Sequence, residues 1–242
     1  MNDLDTFGIG RFRCRGQLLK YRFAFPVGVP SHHASRWSHE DERDVRDELW
    51  LIEPGDTVFD LGSSFGSYSL TALAAGAKLV HCFNPHPGEQ RLLAASMALN
   101  GWQGRFTQHL VGLYSEPGYL SDQDQQFVPN SSAEFQVGKT ESGQYTQRFN
   151  VTTLDSLALE QPEGRSVLKC DIEGAEVEML DGARSFFSRV APELCLFEEH
   201  KFKDQSIPER LEEKMVALGY RLEKRRLFQS GEINHSLFVR SQ

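Results

Sequence analysis

The residues best placed for chemistry sit where apolar runs end. "VLKCDIEGAEVEML" puts Asp171 at the close of one such run and Glu173 two residues later, just before a helical pattern. Two carboxylates there can bind a hard cation, orient a substrate hydroxyl or hold a cofactor amine. The competing reading is that both cap the helix that follows. "LFEEHK" places Glu199 and His200 at the end of the next apolar run. An imidazole suits general-base work near neutral pH, although a histidine at a strand end is also common as a plain surface group. Asp171 and His200 are therefore the candidate bases, Glu173 their orienting partner, and Asp171 with Glu199 the candidate ligands of a divalent cation.

A second constellation lies earlier. "VFDLGSSFGSYS" ends a short apolar run at Asp60, then spaces glycines at 62 and 66 around Ser63 and Ser64. Gly62 permits a tight turn with backbone close to a ligand, and Gly66 lets a helix start close to the strand. Amides at that helix start attract an anion. The spacing D-x-G-x-x-x-G departs from the dinucleotide pattern G-x-G-x-x-G. About twenty residues on, "HCFNPHP" holds Asn84 where a nucleoside-binding α/β chain usually carries an acid for its ribose.

These groups need a frame. Val45, Leu49 and Ile52 are spaced as one helix face. "TVFDL", "KLVHCF", "RFTQHLV", "SVLKCD" and "ELCLFEE" read as five strands, most of them separated by helical stretches. A helix carrying Val177 and Leu180 follows the fourth strand, and another with Leu211, Met215 and Leu218 follows the fifth. "YRLEKRRLF" and "NHSLFVR" flank "QSGEI" as a terminal hairpin. Alternation of this kind implies an α/β fold: a doubly wound, mostly parallel seven-stranded sheet of the Rossmann-like class with a C-terminal antiparallel hairpin. Ligands then bind beyond the carboxyl ends of the strands, where every motif above falls. Residues 115–148 are polar and rich in turn formers, an excursion with one or two irregular strands. "FRCRGQLLKYRFAF" reads as an N-terminal hairpin. The expected division is residues 1–40, hairpin and possible lid segment, and 41–242, the catalytic domain. His32, His33, Trp37 and His39 fall in the lid segment, as cover for a ligand or as a polar loop.

At 242 residues, 39% hydrophobic and 25% charged, the composition is that of an ordinary globular chain. A formal charge of −8 disfavours a nucleic-acid partner. No apolar stretch approaches the roughly 20 residues that span a bilayer, so no membrane partner is expected. The N-terminus lacks a signal pattern, and Cys14, Cys82, Cys170 and Cys195 form no CxxC pair, which suggests a reduced, cytoplasmic protein.

The order of four motifs resembles the FkbM-type methyltransferases, S-adenosylmethionine-dependent class I enzymes. The resemblance runs from about residue 40 to 240. It rests on "PGDTVFDLGSSFGSYSL", "FNPHPGEQRLLAASMALNG", "VTTLDSL", "LKCDIEGAEVEMLDGA" and a final "FEEH". It implies that Asp60, Gly62, Ser64 and Gly66 form the turn under the methionine part of S-adenosyl-L-methionine. It implies that Asn84 lies at the ribose and that Gly112 and Leu113 border the adenine. Asp171, Glu173 and His200 are then left facing the methyl group and its acceptor, while Asp155 caps a short helix. The chain also departs from the family: Ser63 and Ser64 replace Ala and Asn, and Asn84 and His86 replace the Glu and Asn of E-P-N-P. Losing the charged acceptor at position 84 costs about 1–2 kcal/mol of cofactor binding.

The function these features imply is O-methylation of a small-molecule acceptor, a hydroxyl of a sugar or secondary metabolite. Two other classes compete: a non-catalytic binding module with weakened cofactor affinity, and a nucleotide-dependent oxidoreductase. The acceptor, the need for a metal and the oligomeric state are not encoded in any motif.

Overall fold

The structure is a computed structural model that describes residues 7–14, 16–24, 43–121, 127–129, 136–139, 145–228 and 231–241. Its centre is a seven-stranded sheet. In chain order the strands are β3 (Thr57–Leu61), β4 (Leu79–Phe83), β5 (Phe106–His109), β11 (Ser166–Cys170), β12 (Leu194–His200), β13 (Tyr220–Phe228) and β14 (Ile233–Arg240). They lie side by side as β13-β14-β12-β11-β3-β4-β5. β3 and β11 are buried along their whole length, as expected of parallel strands covered on both faces.

Period-two alternation divides the side chains between two cores. Phe59, Leu61, Phe83, Leu168, Cys170 and Phe197 go to one face, under α4 (Glu176–Asp181), α5 (Arg184–Arg189) and α6 (Ile207–Ala217). Val58, Val80, Cys82, Val167 and Leu196 go to the other, under α1 (Arg43–Leu49), α2 (Ser67–Ala74) and α3 (Pro87–Leu99). An N-terminal hairpin, β1 (Phe7–Cys14) with β2 (Gln17–Ala24), closes this second face. Ser96 and Asn100 of the α3 region hold it through the backbone of Ala24 and Arg22. All four cysteines are buried and free.

From β3 the chain steps outward through β4 to β5, then returns to β11 and steps the other way to β12. Strand order thus reverses between β3 and β11, and the crevice beyond their carboxyl ends is the expected binding place.

Two local expectations gain detail and one changes. The terminal antiparallel hairpin is present, with β14 inserted between β12 and β13 and alone running against the rest. The helix carrying Val177 and Leu180 is α4, and a second helix, α5, follows it after Gly182, where a Cβ would lie 2.4 Å from the Tyr114 carbonyl oxygen. The polar excursion contains a second sheet, in which β6 (Gly112–Leu113), β10 (Tyr145–Thr152), β7 (Gly118–Ser121) and β8 (Phe127–Pro129) lie in that order, and β9 (Gln136–Lys139) also pairs with β10. A two-residue strand paired with one 39 positions away leaves no periodic signal in sequence. The lid segment, with His32, His33, Trp37 and His39, lies outside the described residues.

Candidate active site

The glycine turn after β3 is built on buried charge. Asp60 is 1% exposed and accepts a 2.5 Å hydrogen bond from Ser69 Oγ of α2. Burial raises its carboxyl to about 6, against the opposing pull of Lys169 and Ser69. Asp60 therefore anchors the turn from below. Gly62 has φ 81°, and a Cβ there would stand 1.7 Å from the Asp171 carbonyl oxygen, so β3 and β11 approach closely only because this residue is glycine. Gly66 has φ 92° and packs on Leu93. Ser64 takes the left-handed conformation, φ 45°, which Asn adopts more readily, and this is why Asn suits the position in the family pattern.

Asn84 follows β4 and is 6% exposed. Its Nδ2 donates to Glu89 Oε2 at 2.7 Å and more weakly to the Ser64 carbonyl at 3.5 Å, and its Oδ1 accepts from the His86 amide at 3.2 Å. His86 caps α3, its Nδ1 accepting from the Glu89 amide at 3.3 Å. It thus takes over the capping work that an Asn would do. Gly112 packs on Val151 and beside Pro85, next to the same turn, whereas the Leu113 side chain is buried in the core.

The opposite wall is the carboxylate cluster. Asp171, Glu198 and His200 bring ligand atoms within 4.8 Å of one another. Lys169, 1% exposed, puts Nζ 3.3 Å from Asp171 Oδ2 and over the Tyr68 ring. His200 is 3% exposed. Its Nδ1 lies 3.3 Å from Glu176 Oε1, and its Nε2 lies 3.5 Å from Glu198 and 3.7 Å from both Asp171 and Glu173. Burial disfavours the imidazolium, but the hydrogen bond to Glu176 and the charges of Asp171, Glu176 and Glu198 prevail and raise His200 to about 9. Burial likewise works to raise Asp171, yet Lys169 and His200 together hold it below the ordinary carboxylate value. The raised value favours the imidazolium at neutral pH, so a divalent ion that takes His200 as a ligand must displace its proton.

The pairing of Asp171 with Glu199 as cation ligands is corrected. Successive strand residues point to opposite faces, so Glu199 turns away from Asp171. It is wholly buried beneath α6 and bound by Arg225 at 3.1 Å and Asn234 at 3.0 Å. Glu198 is the residue that faces the crevice, supported at 3.1 Å by His235. Glu176 is a further working group that sequence reasoning passes over, although it stands in "EGAE": it accepts from the Ile172 and Gly174 amides and so holds the loop carrying Glu173. That loop is kinked, with φ 59° at Glu173. Asp155 caps as expected, but its carboxylate serves α5, accepting from the Ser185 and Phe186 amides.

A separate cleft of about 1070 Å³ opens at the other end of the strands, lined by Leu51, Glu53, Arg165, Glu193 and Arg240 among others. Its charges pair locally, Arg165 with Asp56, Glu53 and Glu193, and it holds none of the motif residues.

Residues 60–222 match the sequence model of the methyltransferase FkbM domain. The fold resembles that of a methyltransferase FkbM from Methylobacillus flagellatus KT, with a TM-score of 0.55 at 17% identity over 80% of this chain and 46% of that one. This chain thus spans about half the length of that relative. It also resembles M. jannaschii TYW2, solved in complex with AdoMet, with a TM-score of 0.50 at 13% identity over 99% of this chain and 89% of that one. No curated protein matches the sequence. Among the described residues no helix is long and apolar enough to cross a membrane.

Proposed function

The chain belongs to the methyltransferase FkbM domain family, and from that premise we propose that it methylates a hydroxyl of a small molecule, a sugar or secondary metabolite, using S-adenosyl-L-methionine. The observation that carries this reading is the placement of two unlike walls on one crevice. One is a glycine turn with a cramped backbone at Gly62; the other is the cluster of Asp171, Glu173, Glu198 and His200.

The residues present fit the cofactor. The turn at Gly62–Gly66 presents backbone rather than side chains, as close approach of an amino-acid moiety requires. When bound, S-adenosylmethionine supplies an electrophilic methyl group, so the chain has to position the acceptor, remove its proton and exclude water. Asp171 and Glu198 accept hydrogen bonds from the acceptor and align its oxygen. His200, presenting Nε2 to the same space, takes the hydroxyl proton once it has itself lost one, and Glu176 keeps the ring oriented through Nδ1. The four buried free cysteines accord with a reduced, cytoplasmic setting.

The competing readings are a binding module without activity and a nicotinamide enzyme. The glycine spacing counts against the second, because D-x-G-x-x-x-G departs from the G-x-G-x-x-G that nicotinamide dinucleotides use. Calorimetry with S-adenosylhomocysteine and NAD, followed by a methyl-transfer assay on a panel of hydroxylated acceptors, separates the three. Absence of binding to S-adenosylhomocysteine at millimolar concentration would sink the proposal.

A further inference from the structure

We infer that Glu89 supplies the ribose carboxylate that position 84 lacks, with Asn84 acting as the bracket that holds it in place. The inference rests on the S-adenosylmethionine reading above and concerns how this chain meets the cofactor's diol.

Asn84 by itself is poorly equipped. Its Nδ2 is committed to Glu89 and to the Ser64 carbonyl, and its Oδ1 already accepts from His86. A vicinal diol needs acceptors, and a neutral amide binds it less strongly than a carboxylate would. Yet the negative charge is not absent from this end of β4. It has moved five residues along the chain, into the first turn of α3, where the helix dipole favours an anion.

Glu89 has capacity to spare. Only Oε2 is engaged, by Asn84 at 2.7 Å. Among the described residues no Lys or Arg stands within salt-bridge distance of Glu89, and none donates a hydrogen bond to Oε1. The side chain is half-buried, so it is not merely a solvated surface acid. A Glu at position 84 would extend one C–C bond, about 1.5 Å, beyond the Asn. An oxygen held 2.7 Å past the Asn84 amide therefore lies close to where that missing carboxylate would be. The links from Asn84 to Ser64 and His86 tie Glu89 to both the glycine turn and the start of α3, fixing it against the crevice.

The test is calorimetry with S-adenosylhomocysteine and its 2′,3′-dideoxy analogue, on the wild type, Glu89→Gln and the double variant Asn84→Glu/Glu89→Gln, each checked for folding by thermal melting. Glu89→Gln should bind S-adenosylhomocysteine about tenfold more weakly, the loss of one charge-assisted contact, and bind the dideoxy analogue as the wild type does. The double variant, which returns the acid to position 84, should recover most of the loss. Equal affinity of wild type and Glu89→Gln for S-adenosylhomocysteine would overturn the inference. So would an equal loss for both ligands, which would make Glu89 a purely structural group, or a double variant that recovers nothing. If the wild type binds neither ligand, the cofactor reading itself fails and the inference with it.

Discussion

The Nδ1 of His200 lies 3.3 Å from Oε1 of Glu176, a carboxylate with no exposed surface that also accepts from the Ile172 and Gly174 amides. One buried acid thus ties the end of β12 to the loop after β11. It orients the imidazole so that Nε2 faces Asp171, Glu173 and Glu198. Four carboxylates around one ring make the proton on His200 part of the fold as well as part of the site.

The first consequence is a stability that depends on pH. His200 is raised from an ordinary value of 6.5 to about 9, so folding favours its protonated form. The contribution is full below about pH 6.5, shrinks as pH rises and is gone above about 9; it amounts to roughly 3 kcal/mol at most. Melting temperature should therefore fall between pH 6.5 and 9 in the wild type. In His200→Gln the decline over that window should be much shallower. An identical slope in both proteins would show that His200 is not the titrating group.

Turnover should move in the opposite sense. A base that is protonated at pH 7 becomes available only as pH rises, so kcat/KM should climb through a midpoint near pH 9 and level off above it. Weakening the surrounding charge with Glu176→Gln should shift this limb to lower pH. His200→Ala should cut kcat by about 100-fold or more, the usual range for a lost general base. Asp171→Asn should also lower it strongly, and both should leave S-adenosylhomocysteine affinity nearly intact. Wild-type turnover in these two variants would remove the assignments.

Gly62 makes a sharper demand on the backbone than any other glycine of the turn. Its φ is 81°, and the Asp171 carbonyl oxygen lies 1.7 Å from where a Cβ would stand, which leaves no room for alanine. Gly62→Ala should cost about 3 kcal/mol and lower the melting temperature by roughly 6–12 °C. It should also abolish S-adenosylhomocysteine binding, because β3 and β11 would be pushed apart at the crevice. A variant with unchanged melting and binding would mean that the turn relaxes freely.

Why part of this architecture is legible in the sequence and part is not follows from range. β3, β4, β11 and β12 announce themselves as short apolar runs, and the alternation with helices dictates a parallel sheet, so local pattern places the crevice at Asp60, Gly62 and Asp171. The insertion of β14 between β12 and β13 depends on pairing between distant segments and has no local mark. The partnership of Asn84 with Glu89 depends on helix geometry just after a turn, which motif matching at position 84 alone overlooks. Glu199 misleads for a simpler reason. The end of "LFEEH" offers two adjacent acids, and only the phase of the strand says which one faces the crevice.

That phase gives the last test. Glu198 faces Asp171 and His200, whereas Glu199 is paired with Arg225 and Asn234 on the reverse side. Glu199→Gln should remove a buried charge partner and cost about 3 kcal/mol of stability, with kcat largely preserved at a temperature where the variant is folded. Glu198→Gln should keep more of the stability but lower the plateau of turnover, since it strips the crevice of an acceptor, while the lowered pKa of His200 moves the rising limb of the profile to lower pH. Any divalent ion the cluster takes up, followed by manganese titration, should weaken in Glu198→Gln and not in Glu199→Gln. The reverse pattern would place the strand out of phase and undo the assignment of the crevice face.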